Sequence, residues 1–285
     1  MSVKIVSDTG CDLPPELIEQ YDIHLVPLIL RFGDRDMLDS EATRQELWQR
    51  VEVGLPCETS GPPVGPYEEM FKSLVEAGHD VVCITLTGAH SVTYNSAWTA
   101  AQAFSGRVEV VDGRSISLGY GIQVLEAARQ AATGATREAV AAAVLDMQAR
   151  IVLRFFLETL EQVKRGGRLD ALMPLLARLG QALNIRAVLT VNGEGRISLV
   201  GPARGRRGAI KRLVQDAIAT APVEQVVVAH ARSAEEAEAI ADELAQTLPF
   251  PRDKIMMIEI GSVLIAHAGQ GVLGVGTVRT VRSEE

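Results

Sequence analysis

The sequence is poor in cysteine, in positive charge and in long apolar runs. Only three cysteines occur in 285 residues. Cys11, Cys57 and Cys83 form no CxxC pair, so neither a zinc site nor a disulfide framework is expected. Lysine and arginine number 28 against 36 acidic residues, a net charge of −8. A chain of that sign argues against nucleic acid as the main partner, because phosphate binding needs a basic face. No stretch reaches the roughly 18 apolar residues of a membrane span. The N-terminal MSVKIVSDTGCDLPPE turns polar by its seventh residue. It reads as neither signal peptide nor anchor, and the cytoplasm is the expected compartment. Three catalytic signatures are missing as well: there is no GxSxG, no GxxxxGK[ST] and no HExxH. Internal repeats and low-complexity segments are also lacking.

What is present is a globular composition, 47% hydrophobic and 22% charged, long enough for one large domain or two ordinary ones. In the first half, short β-branched runs alternate with helical patterns. KIVSD, IHLVPLILRFG, VVCITL and RVEVVDG read as strands. LPPELIEQY, EATRQELWQRVEVG, a segment from Tyr67, VTYNSAWTAAQAF, SLGYGIQVLEAARQAATG and residues 136–150 read as helices, the second ended by Gly54. Residues 56–71 look irregular up to that third helix. This alternation is the signature of a parallel α/β sheet buried on both faces.

The second half alternates less simply. RFFLETLEQVKRGGR and DALMPLLARLGQALN suggest helices. RAVLTVNGEGRISLVGPAR suggests two strands around a turn at Asn192 to Gly195, and GAIKRLVQDAIATA a helix. EQVVVAHA, KIMMIEIG, VLIAHA and GTVRTV look like strands. SAEEAEAIADELAQTL is an acidic helix with a capping-box start, Ser233 to Glu236. The fold class expected is therefore α/β, with a parallel-sheet domain over 1–150 and a mixed-sheet domain over 151–285. The change of pattern falls between Gly134 and Leu160.

In open α/β sheets, ligands bind beyond the carboxyl ends of strands and at helix N-termini. DTGCD, TSGPP and TGAHSVTYNS meet that condition. All three are rich in hydroxyls and small residues, and none carries a lysine or arginine. Such a neutral cradle suits a single carboxylate better than a triphosphate. Helix capping by Ser91 and Thr93 is the plainer use of the same groups. His267 precedes a glycine-rich turn and offers a donor; a structural role is as good a reading. Gly269, Gly271 and Gly274 spell GxGxxG, but no helix follows, so a dinucleotide site is not expected. Asp8 and Asp112 are better loop caps than a metal pair. Arg168 follows two glycines as a helix C-cap. Arg204, Arg206, Arg207 and Lys211 form a basic patch whose default is a solvated surface, with an anionic head group or a partner as the alternative.

Six motifs in order, 8-DTGCDLP-14, 59-TSGPP-63, 91-SVTYNSA-97, 110-VVDG-113, 166-GGRL-169 and 267-HAGQGVLG-274, resemble the DegV family of bacterial fatty-acid-binding proteins almost end to end. The resemblance implies two α/β domains with a long-chain fatty acid in a tunnel between them. It places the carboxylate contacts at Thr59 of the TS pair and at Ser91, maps the closing-motif histidine onto His267, and implies Ser60, Val92, Thr93 and Gly269 as further ligand-binding positions. It implies no cofactor and no catalytic group on this chain. The fatty acid would be presented to an ATP-dependent kinase subunit that makes the acyl phosphate. Arg168 is implicated in that phosphoryl step, and Arg204 or Arg206 in contacting the anion or the partner. Transient contact with a membrane is compatible with such a cargo. The chain departs from the family pattern at Gly61 for glutamine, Val92 for glycine and Gln270 for proline. Two other readings use the same loops. One is an acyl hydrolase or transferase with Ser91 as nucleophile, His267 as base and Asp112 or Asp8 as orienter. The other is a regulator that binds a sugar or nucleotide.

Overall fold

The computed structural model describes residues 2–55, 57–158 and 184–281. They fall into two compact units. The first takes Met1–Ala149 with Gly193–Arg196 and Gly261–Val263; the second takes Arg150–Asn192, Ile197–Ile260 and Leu264–Glu285.

The first unit is built on a parallel sheet of β1 (Val3–Asp8), β2 (His24–Val26), β6 (Asp80–Thr85) and β7 (Val108–Asp112), in the order β2-β1-β6-β7. The last four residues of β1 and the last five of β6 are buried. Burial on both faces is why these strands read as unbroken apolar runs and not as alternations. α3 (Val64–Glu76) and α4 (Thr93–Ala101) share one core cluster with the sheet, in which Tyr67, Phe71 and Ala97 meet Val6, Val81 and Cys83. α5 (Leu118–Ala132) is buried on most of its sides, and α6 (Arg137–Arg150) follows it. α1 (Pro15–Gln20) starts on a proline at its first position, where the missing N–H costs nothing. α2 (Glu41–Glu52) is capped by Ser40, whose hydroxyl accepts from the Thr43 amide at 3.3 Å. Gly54 then turns left-handed at φ +70.

Two expectations fail here for a local reason. IHLVPLILRFG is not one strand. Pro27 has no N–H to give to a ladder, and the run divides there into β2 and β3 (Ile29–Phe32). β3 belongs to a separate antiparallel sheet with β4 (Arg35–Leu38) and β5 (Glu58–Ser60). Thr59 and Ser60, read as irregular, therefore stand on a short strand, opposite Leu30 and Ile29.

The second unit holds a six-stranded mixed sheet ordered β10-β9-β8-β13-β11-β12. Its strands are β8 (Ile151–Phe156), β9 (Ile185–Val191), β10 (Ile197–Arg204), β11 (Val223–His230), β12 (Met256–Glu259) and β13 (Leu273–Arg279). β11 and β12 run parallel across α8 (Ala234–Thr247), and the other pairs are antiparallel. α7 (Gly205–Ile218) and α8 cover the sheet through Leu213, Ile240 and Leu244, against Phe156, Val226, Val228 and Val275. The segment RFF, expected in a helix, is strand β8 instead, paired with β13 on one side and β9 on the other. VLIAHA, expected as a strand, lies in α9 (Ser262–Ala268). DALMPLLARLGQALN lies outside the described residues, apart from its terminal Asn184. Among the described residues, no helix is long and apolar enough to cross a membrane.

Candidate functional site

Polar groups gather where β1, β6 and β7 end. Asp8 is fully buried. One of its oxygens accepts from the Gly10 amide at 3.1 Å and the Tyr120 hydroxyl at 2.6 Å; the other accepts from the Leu86 amide at 2.9 Å. Burial nevertheless raises its pKa to about 6, with these three donors opposing the shift. Asp112 accepts from the Gly88 amide at 3.1 Å and the Arg114 amide at 2.9 Å. Each carboxylate thus ties its own strand-end loop to the loop that follows β6. No metal cluster occurs among the described residues. The hydrolase reading needs one of these acids to orient a histidine; the bonds described for them come from backbone amides and, on Asp8, from the Tyr120 hydroxyl.

The loop between β6 and α4 is braced at its start. Thr87, buried, donates its hydroxyl to the Gly195 carbonyl at 3.0 Å and accepts from the Ala89 amide at 3.2 Å. Further on, Ser91 Oγ and Thr93 Oγ1 lie 2.7 Å apart, and the Thr93 amide donates to Ser91 Oγ at 3.2 Å. Ser91 therefore closes a turn just before the helix, while Val92 takes the N-cap position without a side-chain bond. The two hydroxyls own two protons. One makes their mutual bond. Thr93 is wholly buried and Ser91 half-buried. Either hydroxyl can donate in this bond; with Thr93 as the donor, the Ser91 proton would be available to a ligand.

The TS segment meets this loop through Gly61. A Cβ on Gly61 would stand 2.6 Å from Thr93 Oγ1 and 3.0 Å from Val92 Cγ2. Thr59 and Ser60, at the end of β5, lead directly into this approach. Thr59 is half-buried; Ser60 is exposed and donates to the Gly61 carbonyl at 3.1 Å.

His267 is half-buried in the last turn of α9, not at a strand end. Gly269, at φ +73, ends that helix with its amide on the Ile265 carbonyl at 2.8 Å, a conformation that a β-carbon would strain. Gly274 sits inside β13, so no helix follows the GxGxxG pattern. Arg168 lies outside the described residues. Arg204 is exposed at the start of α7. Arg206 is not free to take an anion. Its Nε and one terminal nitrogen grip Glu236 at 2.8 and 2.5 Å, the latter nitrogen also reaching Ser233 Oγ at 3.1 Å. The other nitrogen donates to Glu158 at 2.7 Å and to the Gly271 carbonyl at 2.6 Å. The capping box expected at Ser233 and Glu236 is replaced by this knot, and Ser233 makes no side-chain cap.

Two features carried no clear signal in the sequence. Tyr120, in an ordinary helical pattern, is the partner of Asp8. Asp12 holds a left-handed backbone at φ 53 and accepts from Ser117 Oγ at 2.5 Å. Burial raises its pKa to about 7; the Ser117 bond opposes that rise and the neighbouring Asp39 adds to it.

The family model described as "Uncharacterised protein, DegV family" matches residues 2–280. A DegV domain-containing protein of Streptomyces coelicolor is 33% identical over 278 residues, covering 96% of this chain and 97% of its own. Among solved structures, a DegV family protein from Thermus thermophilus, described by its fatty-acid binding, superposes with a TM-score of 0.88 at 31% identity, over 98% of this chain and 99% of that one. A stearic-acid-binding protein from Eubacterium ventriosum gives 0.87 at 28% identity, over 97% and 98%. DegV of Bacillus subtilis, a fatty-acid-binding protein, gives 0.82 at 26%, over 98% and 99%. With the family model matching residues 2–280, through both units, and a third of residues shared with a relative over nearly its whole length, the chain belongs to the DegV family.

Proposed function

We propose that this chain binds a long-chain fatty acid and presents it to a separate ATP-dependent kinase subunit, which forms the acyl phosphate. The observation that carries the reading is the Ser91–Thr93 pair, two bonded hydroxyls with one proton beyond their mutual bond, in a loop without lysine or arginine. A carboxylate is the acceptor such a donor suits, and charge-assisted bonds to it are strong without a cation. Thr59 is a second contact, brought beside that loop by β5. The related proteins described as fatty-acid binding support the ligand class. The alkyl chain supplies most of the affinity: twelve methylenes bury roughly 10 kcal/mol before the costs of association. The polar groups then need only orient the head.

The first test is native mass spectrometry of gently purified protein, followed by titration with stearic acid. A bound fatty acid at one per chain is expected. A protein that arrives empty and takes up none on titration has another ligand. The family resemblance adds His267 as a further head-group contact, for which His267→Ala should weaken stearate binding; unchanged affinity removes it from the set. For the presenting role, Arg168→Ala should bind stearate normally but yield no acyl phosphate, trapped as the hydroxamate, with the kinase subunit and ATP. Lost binding would contradict that division of labour.

A further inference from the structure

Gly61 has no side chain, and the space its Cβ would occupy is already filled. Thr93 Oγ1 would be 2.6 Å away, Val92 Cγ2 3.0 Å and the Thr93 amide nitrogen 3.2 Å. Real Cβ atoms do not approach a neighbour that closely, so a side chain there must move something. Thr93 cannot yield easily. It is fully buried, β-branched and at the first position of α4, where χ1 is restricted. Its hydroxyl is the 2.7 Å partner of Ser91, and its amide holds Ser91 Oγ at 3.2 Å. Whatever displaces Thr93 turns the Ser91 hydroxyl.

We infer that Gly61 is a positioning residue: by leaving room for Thr93, it fixes the direction in which Ser91 offers its proton to the fatty-acid carboxylate. This inference rests on the binding role proposed above and adds to it the residue that aligns the two loops. Gly61 does not touch the ligand; it acts through Thr93. Backbone strain does not explain the glycine, because Gly61 is not among the glycines with positive φ. Alanine at such a backbone position ordinarily stabilises a protein by restricting the unfolded chain. Contact and entropy thus predict opposite signs.

The test is a double-mutant cycle with Gly61→Ala and Thr93→Ala, read by stearic acid titration and by thermal unfolding. Wild-type titration stands apart: if stearate does not bind, the function fails, and the cycle is still read in the melting temperature. With binding present, Gly61→Ala should weaken stearate by roughly ten-fold or more, the size expected for losing a charge-assisted bond. In the Thr93→Ala background the same substitution should change affinity by less than about two-fold, since the atom it displaces is gone. Equal factors in both backgrounds overturn the inference, as does a Gly61→Ala protein that binds like wild type. Should Gly61→Ala fail to fold, recovery of folding in the double variant sustains the clash with Thr93, and failure of both refutes it. Gly208→Ala, where a Cβ would meet only ordinary contacts at 3.9 Å, is the control and should bind normally.

Discussion

Both units place a polar cluster where strands give way to helices, and the two clusters are opposite in character. In the second unit, Arg206 has all five of its N–H donors engaged, by Glu236, Glu158, Ser233 and Gly271, and its guanidinium lies 5.4 Å over the Phe156 ring. Opposite charges are matched and nothing is left to offer. In the first unit, Ser91 and Thr93 are neutral, bond each other, and keep one proton in hand. The ionic cluster holds structure together, whereas the neutral one has a proton beyond its mutual bond, which the proposed ligand would take. A sequence reader drawn to arginine as the anion site is misled, because carboxylates 30 and 48 residues away from Arg206 claim it first.

The contrast can be broken in four ways. The largest effect is expected for Arg206→Met, which strands Glu236 and half of the Glu158 contacts. Thermal unfolding should show a loss of about 2–3 kcal/mol, reduced from a fully buried pair by partial exposure, with stearate affinity unchanged. A loss below about 0.5 kcal/mol would make the knot an ordinary surface ion-pair set. Next, Ser91→Ala should weaken stearate by about 1.5–3 kcal/mol and also lower the melting temperature, because the Thr93 amide and buried hydroxyl lose their partner; Thr59→Val should act on affinity in the same direction. If both bind like wild type, the neutral cluster has no spare capacity of consequence.

A pH-dependent effect of comparable size concerns Asp8. Its folded pKa is raised from 3.8 to about 6, so the folded state holds the proton more tightly than the unfolded chain. That contribution is complete below pH 3.8 and is lost as pH rises through about 6. Stability should fall by something on the order of 3 kcal/mol across this window, and the slope should vanish in Asp8→Asn. A slope of the other sign would mean that Gly10, Leu86 and Tyr120 outweigh burial. The smallest effect is expected for Ser233→Ala. Its hydroxyl does not cap α8 and contributes one 3.1 Å contact to Arg206. A cost under about 0.5 kcal/mol is expected, against about 1 for a working N-cap.

The parallel strands were legible because VVCITL and RVEVV are apolar runs bounded by turn residues, and helices such as EATRQELWQRVE carry their caps beside them. VLIAHA was not, since six apolar residues fit a strand or a buried helical turn equally well. RFF was assigned by continuity with the helical pattern after it, whereas its pairing partners in β13 and β9 are distant in sequence. Pro27 was visible, but its consequence, a second sheet, needed β4 and β5, whose charged residues show no strand pattern. At the candidate site the hydroxyls themselves were legible. The Gly61–Thr93 approach was not, because it joins two loops thirty residues apart through an absent side chain.

The second sheet has a dynamic consequence. β5 is three residues long and pairs with only Ile29, Leu30 and Arg31, while β6 is held along its length on both sides by β1 and β7. Amide exchange should therefore be fast through Glu58–Ser60 and slow through β6, since a short ladder opens locally at little cost. The Thr59 segment is hinged to the molecule by a few rungs, and a ligand that closes on it would appear first as slowed exchange at those amides.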